Sequence, residues 1–212
     1  MVEICGKPFI SHQLETIKKN GIVNVIICAG YLGYQIEDYI GDGNKFGLNV
    51  KYSYDGDTRL GTGGAIKNVL HLIDDVFFVI YGDSYLDVSY KSVMEFFLKN
   101  NKPGLMTVYK NNNKWDISNI VFKNGNIIEY NKKYLKKDMN YIDYGLGILK
   151  KEVFSDYNEY QIFDLSEIYR NLLNEGKLLG FEVMNRFYEI GTYNGIKETE
   201  KYITLLNKMK NK

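Results

Sequence analysis

The feature that most restricts the fold is a repeated change of hydrophobic period. Apolar runs with strand character alternate with stretches whose apolar residues recur every three or four positions. VNVIICA over 23–29 and VFFVIY over 76–81 are runs of the first kind, and Ile10, Leu14 and Ile17 form a face of the second. Pro8 opens that first helix and Gly21 stops it. A short helix follows over 34–40, a strand over 48–54, and a helix that opens at Gly63 or Gly64 with Ala65, Ile66, Val69 and Leu70 on one side. Strand, helix, strand, helix in this order predicts an α/β fold with a Rossmann-like, mixed but mostly parallel sheet.

The second half continues with a helix over 89–99 and a strand over 105–109. Strands over 117–122 and 127–130 flank Asn124-Gly125, a pair that tolerates the positive φ of a tight hairpin. A strand over 141–149 and a short helix over 151–154 come next. Asp164 caps a helix over 165–173, with Glu167 in the capping-box position. Late strands lie over 178–183 and 187–190, and a helix from Tyr193 or Asn194 closes the chain. With no repeat and no long linker, residues 1–212 read as one domain.

Charge and composition exclude several functions. Lys and Arg number 27 against 26 Asp and Glu, so nothing marks a strongly basic nucleic-acid binder. Arg59, Arg170 and Arg186 are the only guanidinium groups. Cys5, Cys28, His12 and His71 have no metal-binding spacing, and both thiols are expected to be buried. No run approaches the roughly 18 apolar residues of a membrane helix, and no signal peptide is visible, so the expected location is cytoplasmic with no membrane partner.

Three segments carry chemistry. Leu60-Gly61-Thr62-Gly63-Gly64 precedes a helical face. Glycine permits a ligand to approach the backbone, and a helix start offers N–H groups to a phosphate; a purely structural turn is the other reading. Gly82-Asp83-Ser84 follows a buried strand, which brings Asp83 to the carboxyl edge where open α/β sheets bind ligands. Its carboxylate suits magnesium, or else caps a turn, and Asp87 suits a helix cap. Phe187-Tyr188-Glu189-Ile190-Gly191-Thr192 sets Glu189 at a strand end, as a second carboxylate or a solvated residue. Lys132 and Lys133 could meet a phosphate, although 24 lysines make that signal weak.

Together these segments resemble the sugar-1-phosphate nucleotidyltransferases, above all the D-glycero-D-manno-heptose 1-phosphate and mannose-1-phosphate guanylyltransferases. MVEICGKPFISHQLE, LGTGGAIKN, YGDSYLD, YIDYGLGILKKEVF and FYEIGTYNGIKETEKYI carry the resemblance, in the family's order. It implies nucleotidyl transfer from an NTP, with GTP favoured, to a heptose- or mannose-type sugar 1-phosphate. It also implies that Gly61, Thr62, Gly63 and Gly64 border the nucleotide, that Asp83 and Glu189 bind Mg2+, that Glu129 and Lys132 approach the sugar phosphate, and that Gly145 approaches the sugar. Asp83, Lys132 and Glu189 would carry catalysis.

Three departures accompany the resemblance. Glu189 stands where the family has Asp, and Tyr130 and Asn131 separate Glu129 from Lys132. The chain also starts at the family's Pro-Lys-Pro segment, so the first strand and the Gly-rich triphosphate loop are expected to be missing and activity impaired. Two unpaired neighbouring strands would then favour self-association or pairing with an N-terminal segment. A non-catalytic binding subunit and a nucleotide-sugar-dependent glycosyltransferase are the alternative functions.

Overall fold

In the computed structural model, which describes residues 1–210, local chemistry sets the element boundaries. A minute hairpin, β1 (Glu3–Ile4) with β2 (Lys7–Pro8), leads into α1 (Phe9–Lys19). Leu14 and Ile17 of α1 are buried, and Gly21 takes φ +82° just beyond its end. Then follow β3 (Asn24–Ala29), α2 (Tyr34–Ile40), β4 (Asn49–Tyr54), α3 (Gly61–Asn68) and β5 (Val76–Ile80). The next elements are β6 (Ser84–Leu86), α4 (Tyr90–Lys99), β7 (Gly104–Lys110), β8 (Ile120–Lys123), β9 (Asn126–Tyr130) and β10 (Tyr141–Lys150). Last come α5 (Leu165–Asn174), β11 (Leu178–Val183), β12 (Phe187–Glu189) and α6 (Tyr193–Lys210). The expected Asp164 cap forms, its Oδ1 accepting the Ser166 N–H at 2.8 Å, whereas the cap of α4 expected from Asp87 is made by Ser89, whose Oγ accepts the Ser92 N–H at 3.2 Å. Asn124 and Gly125 both adopt positive φ in the β8–β9 turn, as that hairpin requires.

The main sheet runs β11-β7-β10, with β5 on the far edge of β10. β7 and β11 are parallel; β10 is antiparallel to both β7 and β5. β5, β7 and β11 therefore point one way and β10 the other, which makes the sheet mixed. The β8–β9 hairpin joins β10 at Tyr141. β3 and β4 form a separate parallel pair, and β6 pairs with β12 antiparallel.

Residue alternation along β10 divides the core in two. Ile142, Tyr144, Leu146 and Ile148 pack on one face with Leu14, Ile17, Val93 and Phe97. Leu149 packs on the other with Met106, Val108, Leu165, Ile168 and Tyr169. Each face is thus covered by helices, as sheets with parallel strands require. Gly145 takes φ +98° where the β10–β7 register shifts between Asp143 and Gly147. That irregularity frees the strand to hold a polar group in mid-course.

Three expectations change. The helix placed at Gly63 or Gly64 starts at Gly61, because the chain at 161–163 closes over its first turn and takes up its amides. β1, β2 and β6 are too short to leave a periodic signature. Cys28, expected to be buried, is exposed, and Val25, Ile26 and Ile27 are only partly buried. The outer flank of β3 opens onto a cavity of about 1100 Å³. Val25 and Ile27 still pack against the core, but the edge of β3 away from β4 borders that cavity. No helix among the described residues is long and apolar enough to cross a membrane.

Candidate active site

The β6–β12 ladder joins the two sequence-distant acidic segments. Glu189 pairs with Ser84 in register, and Ile190 donates its N–H to the Asp83 carbonyl at 3.0 Å. Asp83 and Glu189 are therefore diagonal neighbours on one hydrogen-bonded strand pair. Asp83 lies in the exposed turn after β5, where its Oδ1 accepts from Ser84 Oγ at 3.0 Å. Behind that turn the buried Gln13 donates from its amide to the carbonyls of Tyr81, at 3.0 Å, and Ser84, at 2.8 Å. α1 thereby fixes both sides of the Asp83 turn.

Glu189 has partners of its own. Its carboxylate accepts from the Gly191 N–H, from the Thr192 N–H at 3.1 Å and from Thr192 Oγ1 at 2.7 Å. Thr192 Oγ1 in turn accepts the Gly195 N–H at 2.9 Å, which makes Thr192 the N-cap of α6. A Cβ on Gly195 would overlap the Glu189 carboxyl group. The longer acidic arm is thus matched by a missing side chain on the facing helix. Carboxylate oxygens suit a hard divalent cation such as magnesium, and the ladder places Asp83 one position from the residue paired with Glu189. Among the described residues no third acidic, His or Cys side chain joins them, so remaining ligands would come from water and phosphate.

The glycine segment is explained mostly by packing. Gly61 has φ +74°, and a Cβ there would press on the Phe163 carbonyl. A Cβ on Gly63 would strike the Phe163 ring, and one on Gly64 the Gln161 carbonyl. The N–H groups of Gly63 and Gly64 both donate to the Phe163 carbonyl, at 3.0 and 3.2 Å. Gly63 and Gly64 are buried, whereas Gly61 and Thr62 line the cavity with Asp55, Arg59, Tyr81 and Gly82. Thr62 Oγ1 donates to Asp164 at 3.1 Å and accepts the Leu165 N–H at 2.9 Å, tying α3 to the start of α5.

Lys132 leaves β9 and reaches over this site. Its ammonium stands 5.4 Å from the centre of the Tyr81 ring, and its charge acts on both Asp143 and Asp164. Asp143 is a site residue that the sequence reading missed. It accepts from Tyr81 Oη at 3.2 Å and from the Gly145 N–H at 3.0 Å. Burial raises its carboxyl above the usual range, opposed by Lys132 and by those two hydrogen bonds. Burial also pushes Asp164 upward, but the Ser166 bonds, Lys132 and Thr62 outweigh it and leave the group below its usual range. An acidic residue inside the apolar run YIDYGLGIL was the available signal. Gly145 adjoins Tyr81 and Ser84, with room for a Cβ only at van der Waals distance. Glu129 pairs with Lys136 at 2.7 Å.

Asp83, Glu189, Gly145, Lys132, Thr62 and Gly61 thus surround one end of the sheet. The nucleotidyl transferase family matches residues 1–204. The chain belongs to this family. A D-glycero-alpha-D-manno-heptose 1-phosphate guanylyltransferase of Campylobacter jejuni is 29% identical over 193 residues, which covers 90% of this chain and 84% of the relative. An N-acetylmuramate alpha-1-phosphate uridylyltransferase of Neisseria meningitidis is 24% identical, with 94% and 87% covered. HddC from Yersinia pseudotuberculosis, in complex with GMP-PN, superposes with a TM-score of 0.80 at 23% identity, covering 96% of this chain and 88% of that one. The inositol-1-phosphate CTP transferase of T. maritima gives 0.75 at 15% identity, with 92% and 80% covered. The family and the relatives mark this chain as an enzyme of the sugar-phosphate nucleotidyltransferase type.

Proposed function

We propose that the chain transfers a nucleotidyl group from an NTP, with GTP favoured, to a heptose- or mannose-type sugar 1-phosphate, releasing pyrophosphate. The observation that carries the reading is the diagonal placement of Asp83 and Glu189 at the β6–β12 ladder, with Lys132 over the ring of Tyr81, two residues before Asp83. An oxygen of the sugar phosphate attacks the α-phosphorus, and the bond from that phosphorus to the bridging oxygen of pyrophosphate breaks. The attacking phosphate is already ionised at neutral pH, so no protein nucleophile is required. The protein's part is alignment and stabilisation of charge.

In this reading Asp83 and Glu189 would hold magnesium, whose charge would stabilise a phosphate anion beside them. Lys132 draws the sugar phosphate toward Tyr81 and Gly145, whose backbone would lie against the sugar. Gly61 and Thr62 border the nucleotide from the opposite wall. Gly63 and Gly64 support that wall from beneath, and Asp143 and Asp164 keep Lys132 directed into the cleft. The guanine preference follows the guanylyltransferase relatives, while the uridylyltransferase relative sets the main competing base.

The test offers the purified chain GTP or UTP, magnesium, and either D-glycero-D-manno-heptose 1-phosphate or mannose 1-phosphate. Pyrophosphate release that requires both substrates, with a nucleoside-diphosphate sugar as co-product, is expected. Transfer of sugar from a nucleotide sugar without pyrophosphate release would contradict it.

A further inference from the structure

We propose that Gln13 is a positioning residue for the candidate metal pair: its buried carboxamide fixes where Asp83 stands relative to Glu189, and so sets how tightly the two hold a divalent cation. The inference rests on the metal role proposed above for those carboxylates. Asp83 has little of its own to hold it in place. It is exposed, and among the described residues its carboxylate accepts only from Ser84 Oγ, at 3.0 Å. The backbone of residues 81–84 therefore decides where the carboxylate stands.

That backbone is tied from two directions. On one side the Ile190 N–H binds the Asp83 carbonyl at 3.0 Å and joins the turn to the end of β12. On the other, Gln13 Nε2 donates to the Tyr81 carbonyl at 3.0 Å and to the Ser84 carbonyl at 2.8 Å. Tyr81 and Ser84 bracket Asp83. A primary amide carries two N–H donors at a fixed angle, so one side chain engages both carbonyls at once and fixes their separation. The turn's own closing bond, from the Ser84 N–H to the Tyr81 carbonyl, is long at 3.3 Å, which leaves Gln13 the firmer link. Ser84 is also the residue paired with Glu189, so the hold on its carbonyl bears on both carboxylates.

Burial makes the link stiff. Gln13 is 7% exposed, on a helix anchored in the core by Leu14 and Ile17. A side chain of the same size without donors would fill the same space and release both carbonyls. Magnesium demands near-ideal octahedral geometry, so a small shift of one carboxylate against the other costs affinity. Hydrogen bonds that orient metal ligands from behind are typically worth ten- to a hundredfold in affinity or activity. Gln13 stands in that relation to Asp83, acting through the backbone.

Gln13→Met keeps the length and bulk of the side chain and removes both donors. Mn2+ binding to the protein without nucleotide, followed by electron spin resonance, should weaken about tenfold or more. In the metal-free variant the Ser84 and Ile190 amides should exchange faster than in the native chain. Ser11→Ala is the control for general damage to α1, because Ser11 is equally buried but donates to Tyr39 Oη at 3.1 Å; it should bind Mn2+ as the native chain does. Gln13→Asn, which keeps the amide but draws it back by one methylene, gives the same readout should Gln13→Met fail to fold. Native Mn2+ affinity in a folded Gln13 variant, with affinity lost in Asp83→Ala, would overturn the positioning role and leave the metal pair standing. Equal weakening in Ser11→Ala would reduce the effect to loosening of α1 and overturn the role as well. Native affinity in Asp83→Ala would overturn the metal pair itself, and the role of Gln13 with it.

Discussion

The residue scale shows most plainly how one side chain can serve both structure and chemistry. Glu189 fastens the turn into α6 while standing where a metal ligand is wanted. Glu189→Ala is therefore expected to lower stability by about 1 kcal/mol, the usual worth of a capping interaction, together with turnover. Asp83, whose carboxylate accepts only from the adjacent Ser84 hydroxyl among the described residues, separates the two effects. Asp83→Ala should cut turnover roughly a hundredfold or more with little change in thermal midpoint, as read by pyrophosphate release and calorimetric melting. Gly195→Ala tests the fit between the long acidic arm and the helix: its Cβ should displace the Glu189 carboxylate and weaken Mn2+ binding measured by electron spin resonance. Asp143 supplies a pH test. Its folded-state pKa is raised, so between the ordinary carboxylate value and that raised value the folded chain binds more protons than the unfolded one. Stability contributed at this site therefore falls as pH rises through that window. In urea titrations across pH 4–7, Asp143→Asn should gain on the native chain as pH increases.

Among the elements, the link between α3 and α5 is the most telling. Thr62 and Asp164 bind each other, and both serve the first turn of α5. Thr62→Val and Asp164→Ala should each cost about 1 kcal/mol, and the double variant should cost less than their sum, because both remove the same contact. Denaturation midpoints of the four proteins measure the coupling. These elements also show what the sequence could reveal. α2, α5, β5 and β10 carried periods and caps strong enough to define them within a residue or two. Asp83 and Glu189 were legible because a strand end and an acidic residue coincide in each. The origin of the three glycines was not legible, since it lies in Gln161 and Phe163, about 100 positions away. Asp143 was hidden for a related reason: its partners Tyr81 and Lys132 lie just beyond the ends of β5 and β9, and pairing alone makes a carboxylate tolerable inside an apolar run.

Across the whole molecule, one end of the sheet gathers the chemistry and the β3–β5 opening interrupts the architecture beneath it. β10 reverses direction, carries the Gly145 bend and holds the two cores together, while β6 and β12 bring the acidic pair to the rim. The account stands on that rim being a metal-assisted nucleotide site. Its most direct test is a crystal of the protein with Mn2+ and a non-hydrolysable GTP analogue, with the metal located by anomalous scattering. The account predicts one manganese peak bridging the α-phosphate to the carboxylates of Asp83 and Glu189, with the base beyond Gly61 and Thr62. A peak remote from either carboxylate, or a nucleotide bound away from Thr62, would contradict it.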